Sequence, residues 1–132
     1  MTAARVTALI YAVILTLVAA INYISGLTDE AGLALGLFAL DPFDDALHLA
    51  SAVWAAVAGM LSHRASRVFL LTFGALYLAD GLLGVATGSG FLDLGILRWG
   101  VLDQPLMTNL LTSLPHVVLG GVALAVGLLA RR

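Results

Sequence analysis

Cysteine is absent from the chain of 132 residues, which excludes disulfides, thiolate metal sites and cysteine nucleophiles together. Charge is scarce too. Charged residues make up 11% and the formal net charge is -2, so no clustered basic face exists for nucleic acid. No serine-protease, phosphate-loop or metalloprotease motif occurs. Ser51, Thr16 and Thr72 have no histidine or acid at catalytic spacing. The chain therefore reads as a non-enzyme. What it has instead is apolar surface: 61% hydrophobic residues and a mean hydropathy of +1.07. A soluble domain of this length cannot hide that much in one core. A lipid bilayer is the solvent that removes the difficulty.

Four apolar stretches approach the roughly 20 helical residues that about 30 Å of hydrocarbon demands. They cover 6–24, 42–61, 68–87 and 110–130. None alternates as a barrel strand does, and helices satisfy their backbone groups internally. The expected fold class is all-α, an integral membrane four-helix bundle in a single domain over 1–132. The first stretch follows Arg5 and holds a passable cleavage site at Val18-Ala19-Ala20. It outruns the apolar core of a signal peptide, however, so it is read as a span.

Charge sets the expected orientation. Arg5, Arg64, Arg67, Arg131 and Arg132 fall on one side of the four stretches. Asp29, Glu30, Asp41, Asp44, Asp45, Asp93 and Asp103 fall on the other, with Arg98 as the one base there. The positive-inside rule then puts both termini and the Ser62–Ser66 loop in the cytoplasm of a bacterial inner-membrane protein. The outer segments Ala31–Leu40 and Gly90–Leu102 are apolar for loops, and are expected to fold over the outer mouth with Trp99 as an interfacial anchor.

The second and fourth stretches also match each other at a constant offset. Asp41 falls on Asn109, Asp45 on Ser113, His48 on His116, Ala55 on Ala123, Gly59 on Gly127, Leu61 on Leu129 and Arg64 on Arg132. The first and third match through Arg5 with Arg67, Ser25 with Thr87 and Gly26 with Gly88. Two hairpins of one orientation make a parallel repeat about an axis along the membrane normal. Asp41 is expected to cap the second helix ahead of Pro42, and Asn109 to cap the fourth. Pro115 is expected to kink that fourth helix unless it begins near Ser113. Small residues at four-residue spacing suit close packing: Ala52, Ala55, Ala56 and Gly59; Gly84 and Gly88; Gly121, Ala123, Ala125 and Gly127. Gly84 and Gly88 suit either packing within the bundle or dimerisation.

Three ionisable residues lie inside the stretches, and Asp80 is the costliest of them in lipid. At about 1.5 Å per residue it sits roughly 10 Å below the outer end of its helix, and His48 and His116 sit roughly 9 Å below theirs. All three share one depth. In one reading they hold the helices together, the histidines bonding Asp80, Asn22, Tyr77 or backbone carbonyls. In another, His48 and His116 ligate a haem iron or a divalent metal, with Asp80 orienting an imidazole or acting as a further ligand. In a third, Asp80 lies on a proton or ion path of an oligomer. His63, beside Arg64, is expected in a solvated loop.

Asp45-Ala-Leu-His48-Leu-Ala-Ser-Ala52 after Gly36-Leu-Phe38, and Pro105-Leu106 with Ser113-Leu-Pro-His116-Val-Val-Leu-Gly120, resemble an uncharacterised bacterial four-span family, DUF4383. Gly26-Leu27-Thr28 resembles the end of that family's first span. The family carries a polar-x-x-His motif, commonly with Asn, opening spans two and four. Here Asp45 and Ser113 take the polar places, Pro115 precedes the second histidine, and Asp80 is added. The resemblance implies four spans and no established activity. The function expected is a small structural or accessory subunit without a cofactor, partnered by lipid and by a larger membrane complex or its own copies.

Overall fold

A computed structural model describes residues 1–130; Arg131 and Arg132, which enter both the orientation and the repeat, lie outside the described residues. The described chain is all-helical: α1 Ala3–Ala20, α2 Pro42–Leu61, α3 His63–Thr87, a short α4 Gly95–Trp99, and α5 Leu106–Leu129. A 3-10 turn, Ile21–Tyr23, extends α1. Among the described residues, three helices are long and apolar enough to cross a membrane: α1 through Tyr23, α3 and α5. Helix α2 has the expected extent but is not among them. Asp44, Asp45 and His48 crowd its first two turns and lower its hydropathy.

The helices turn apolar side chains outward. Val13, Leu17, Val57, Val68, Leu82 and Val122 are all exposed, where a water-soluble monomer rarely leaves apolar patches beyond a few hundred Å². Inside runs an aromatic column. Tyr77 stacks on Phe73 with ring centres 3.9 Å apart, Phe73 lies 5.1 Å from Phe69, and Tyr11 meets Phe73 edge-on at 5.5 Å. Leu15 and Leu70 are fully buried with Phe69 and Phe73. The Tyr11 hydroxyl donates to the Leu119 carbonyl at 2.7 Å, so its polar end is satisfied.

Helix α1 packs chiefly on α2, and α3 on α5. Glycine permits the second contact. A Cβ on Gly120 would strike the Leu78 backbone, one on Gly74 the Leu124 backbone, and one on Gly84 the Ser113 hydroxyl. Gly84 thus serves packing within the chain. Gly88, in the left-handed conformation at φ 78°, ends α3 and donates to the Gly84 carbonyl at 2.7 Å. On α5 the packing face is Gly120, Ala123 and Gly127. Gly121 meets open space and Ala125 is exposed, so that half of the expected small-residue face points outward.

Two expectations about helix ends need correction. The Ser62–Ser66 loop shrinks to one residue, because Ser62 accepts from the Ala65 N–H and caps α3 directly. Ser66 then donates back to the Ala58 and Ser62 carbonyls, both at 2.9 Å. His63 is accordingly the first residue of α3, with Nδ1 3.0 Å from the Thr2 hydroxyl, and not a loop residue. Asn109 is not a cap. Helix α5 starts one turn earlier behind Pro105, whose carbonyl accepts from Thr108 and Asn109 N–H. The Asn109 side chain accepts from Gln104 and donates to the Val85 carbonyl. Pro115 lies inside α5, which runs through it from Leu106 to Leu129.

The two helix pairs share one detail. Arg5 Nε donates to the Gly59 carbonyl at 2.8 Å near the end of α2, and Arg67 Nε donates to the Gly127 carbonyl at 3.0 Å near the end of α5. Each arginine thus occupies a carbonyl in the last turn of its partner helix, where the helix end carries negative partial charge.

Gly120→Ala is expected to lower stability by about 1–3 kcal/mol, because the added carbon has only backbone to displace. Gly121→Ala should be neutral or gain up to about 1 kcal/mol of helix propensity. Thermal unfolding of the detergent-solubilised variants measures both, and equal effects would contradict the assignment of the packing face.

Candidate functional site

Asp80 reaches the site from α3, where Gly74 and Gly81 let α5 approach closely. Its side chain is 5% exposed. A carboxylate so enclosed needs donors in place of water. Oδ1 accepts from the Phe91 and Leu92 N–H groups at 2.6 and 2.8 Å, and Oδ2 lies 2.5 Å from His116 Nδ1. The two backbone donors come from the segment after α3. Gly88 turns the chain back, Ser89 N–H donates to the Thr87 hydroxyl at 3.2 Å, and the chain descends onto Asp80. Gly90 makes that approach possible, since a Cβ there would lie 2.6 Å from Asp80 Oδ1.

His116 arrives from α5 with 22% of its side chain exposed. Its Nδ1 faces the carboxylate, so Nε2 lies on the far side of the ring. His48 arrives from α2, is 4% exposed, and meets His116 edge to face with ring centres 5.9 Å apart. Its Nδ1 is buried and, apart from a marginal approach to the Asp44 backbone one turn back, has no hydrogen-bond partner. Tyr77 tilts against His116 at 4.9 Å and shares a 3.0 Å hydrogen bond with Ser51.

The three residues expected at one depth therefore converge. Of the expected histidine partners, Asp80 is the one reached. Asn22 instead donates to the Leu40 carbonyl at 2.8 Å. Among the described residues no group of three or more histidines and acids is arranged to hold a metal. The reason is plain at Asp80, whose two oxygens are already occupied by three donors. It orients His116 and is not free to act as a ligand. Sequence reasoning missed the Phe91 and Leu92 amides and the Ser51–Tyr77 pair. Ser51 lies three residues after His48, which places it nearly one turn deeper on the same face.

Above this cluster a second polar group closes the mouth. Asp41 caps α2 in a reciprocal box with Asp44, accepting from Phe43 and Asp44 N–H. Arg98 of α4 meets Asp41 Oδ2 at 2.5 Å while its guanidinium lies 4.3 Å from the Phe43 ring centre and 5.1 Å from that of Trp99. Partial burial works to raise the Asp41 pKa, but the Arg98 contact and the helix N–H donors together hold it below the usual carboxylate range. A groove of about 350 Å³ between Trp54 and Val68, with Arg64 at its edge, lies apart from both groups.

No known protein family matches the chain, and neither a curated protein nor a solved structure is similar to it.

The Asp41 shift has a definite sign. A depressed folded pKa means that the contribution is complete above the ordinary carboxylate pKa and fades as pH falls through the folded value. Because Asp41 and Arg98 are 31% and 26% exposed, the effect should stay below about 1 kcal/mol. Melting temperatures of wild type and Asp41→Asn should therefore keep a constant gap above about pH 5 and draw together as pH falls below about 4. A gap that persists unchanged at pH 3 would contradict this origin.

Proposed function

We propose that this chain is a small non-enzymatic protein of the bacterial inner membrane, acting as a structural or accessory subunit. Its spans are α1, α2, α3 and α5, built as two repeated hairpins with both termini cytoplasmic. The observation that carries the reading is the state of Asp80. Asp80, the acid farthest from any helix end, has both oxygens engaged in holding a loop and a neighbouring helix. A group occupied in that way serves architecture.

Several further observations support the arrangement. Arg5 and Arg67 make the same bond to Gly59 and Gly127, positions that the sequence repeat pairs. Leu9 and Leu71, each four residues later, would be the first side chains met by a Cβ on those two glycines. Arg5, Arg64 and Arg67 gather at the end where α2 passes into α3, opposite the acids of the two longer loops. This is the asymmetry of a positive-inside protein. The polar-x-x-His segments ending in His48 and His116 meet in space, as the two halves of a repeat would. Lipid surrounds the apolar exterior, and a larger complex or a second copy would use the outer face.

Two rival uses of the cluster fare worse. A proton path from Asp80 would have to cross Phe73, Phe69, Leu15 and Leu70, which are fully buried and offer no exchangeable proton. A haem between His48 and His116 would need room for its macrocycle beside rings whose centres are 5.9 Å apart, one of them also covered by Tyr77.

The cysteine-free chain suits single-cysteine labelling. Glu30→Cys and Asp103→Cys should react with an impermeant maleimide on spheroplasts, and Thr2→Cys only after permeabilisation. Labelling of Thr2→Cys from outside would overturn the topology. In liposomes, proton or ion flux that disappears with Asp80→Asn would overturn the accessory reading; flux at the level of empty vesicles is expected.

A further inference from the structure

We infer that His48 and His116 form a two-imidazole site for a late first-row transition-metal ion of the copper, nickel or zinc class. This goes beyond the accessory reading and does not depend on it. Buried polar atoms almost always have partners, and an exception asks for a cause. His48 Nδ1 is such an exception: it makes no well-formed hydrogen bond, having only a marginal approach to the Asp44 backbone one turn back, in a residue 4% exposed that lies against a second imidazole.

The second imidazole is already prepared. Its Nδ1 is bound to Asp80, leaving Nε2 to bind an ion. A carboxylate on the far nitrogen is the usual way in which a metal-ligating histidine is fixed in tautomer and orientation. Asp80 is fixed in turn by the Phe91 and Leu92 amides, so the orientation is not left to a mobile side chain. It is a positioning residue.

The spacing fits as well. Metal–nitrogen bonds of about 2.0–2.1 Å put the centres of two imidazoles on one ion roughly 5–6.4 Å apart, according to the angle at the metal. The observed separation is 5.9 Å. The donor set selects the ion. With no cysteine in the chain and the Asp80 oxygens occupied, the two groups that face each other are both imidazoles. That favours copper, nickel and zinc over calcium and magnesium, which require several oxygens.

The test uses the full chain in mild detergent, stripped with chelator and titrated separately with Cu²⁺, Ni²⁺ and Zn²⁺ by calorimetry. Saturable binding of one equivalent is expected, abolished by His48→Ala and by His116→Ala and unchanged by His63→Ala. Asp80→Asn should keep the stoichiometry and weaken affinity by about 10–100-fold, as loss of an orienting partner does. Electron paramagnetic resonance of the Cu²⁺ form should show coupling to two imidazole nitrogens in wild type and one in either histidine variant. If His116→Ala does not fold, His48→Ala decides alone, because its Nδ1 has no well-formed hydrogen bond to lose. Absence of saturable binding, or binding that survives His48→Ala or requires His63, would overturn the proposal. Such a failure leaves the labelling and flux results of the accessory reading untouched.

Discussion

A carboxylate placed well inside an apolar helix survives only where other donors stand in for water, and at Asp80 those donors come from two separate regions of the chain. The Phe91 and Leu92 amides belong to the loop after α3, and the His116 imidazole belongs to α5. One side chain therefore joins the loop, α3 and α5. The consequences spread outward. With the segment from Gly88 to Leu92 drawn down onto Asp80, α4 lies where Arg98 can reach Asp41 at the head of α2. With His116 held by the carboxylate, its ring is presented to His48 and Tyr77.

Close helix approach makes the arrangement possible. Asp80 lies between Gly74 and Gly84, and these glycines, with Gly81 and Gly120, bring the α3 and α5 backbones within reach of each other. For helices long and apolar enough to cross a membrane, lipid would supply little hydrophobic force between them, and tight van der Waals contact and a few polar bonds are what hold such helices together. The Arg5–Gly59 and Arg67–Gly127 bonds fasten the opposite end in the same manner in both helix pairs. Polar closure lies at one end, the arginine bonds at the other, and the aromatic column between them.

Much of this is legible in the residues, and what is not has physical reasons. Helix existence follows from apolar length alone, and the common depth of His48, Asp80 and His116 follows from counting 1.5 Å steps. The Asp41–Pro42 start of α2 follows from capping chemistry, and the structure adds the reciprocal bond that the Asp41 N–H donates to the Asp44 carboxylate. Analogy with Asp41 makes Asn109 a cap, but Pro105 nucleates α5 a turn earlier and frees the amide to bond across to Val85. The packing face of α5 is rotated from the expected one because Gly120 and Gly121 are adjacent, and spacing alone cannot choose between neighbours. The donors to Asp80 are hidden for a simpler reason. Backbone N–H groups are present at every residue but proline, so sequence gives no sign of which ones a fold will aim inward.

The loop amides bound to Asp80 hold the polar cluster together, and amide hydrogen exchange reads them directly. Phe91 and Leu92 N–H groups should exchange as slowly as amides in the middle of α3, and both should accelerate together in Asp80→Ala while the middle of α3 stays protected. Exchange of Phe91 and Leu92 in the wild type at the rate of an exposed loop would contradict the central role of Asp80.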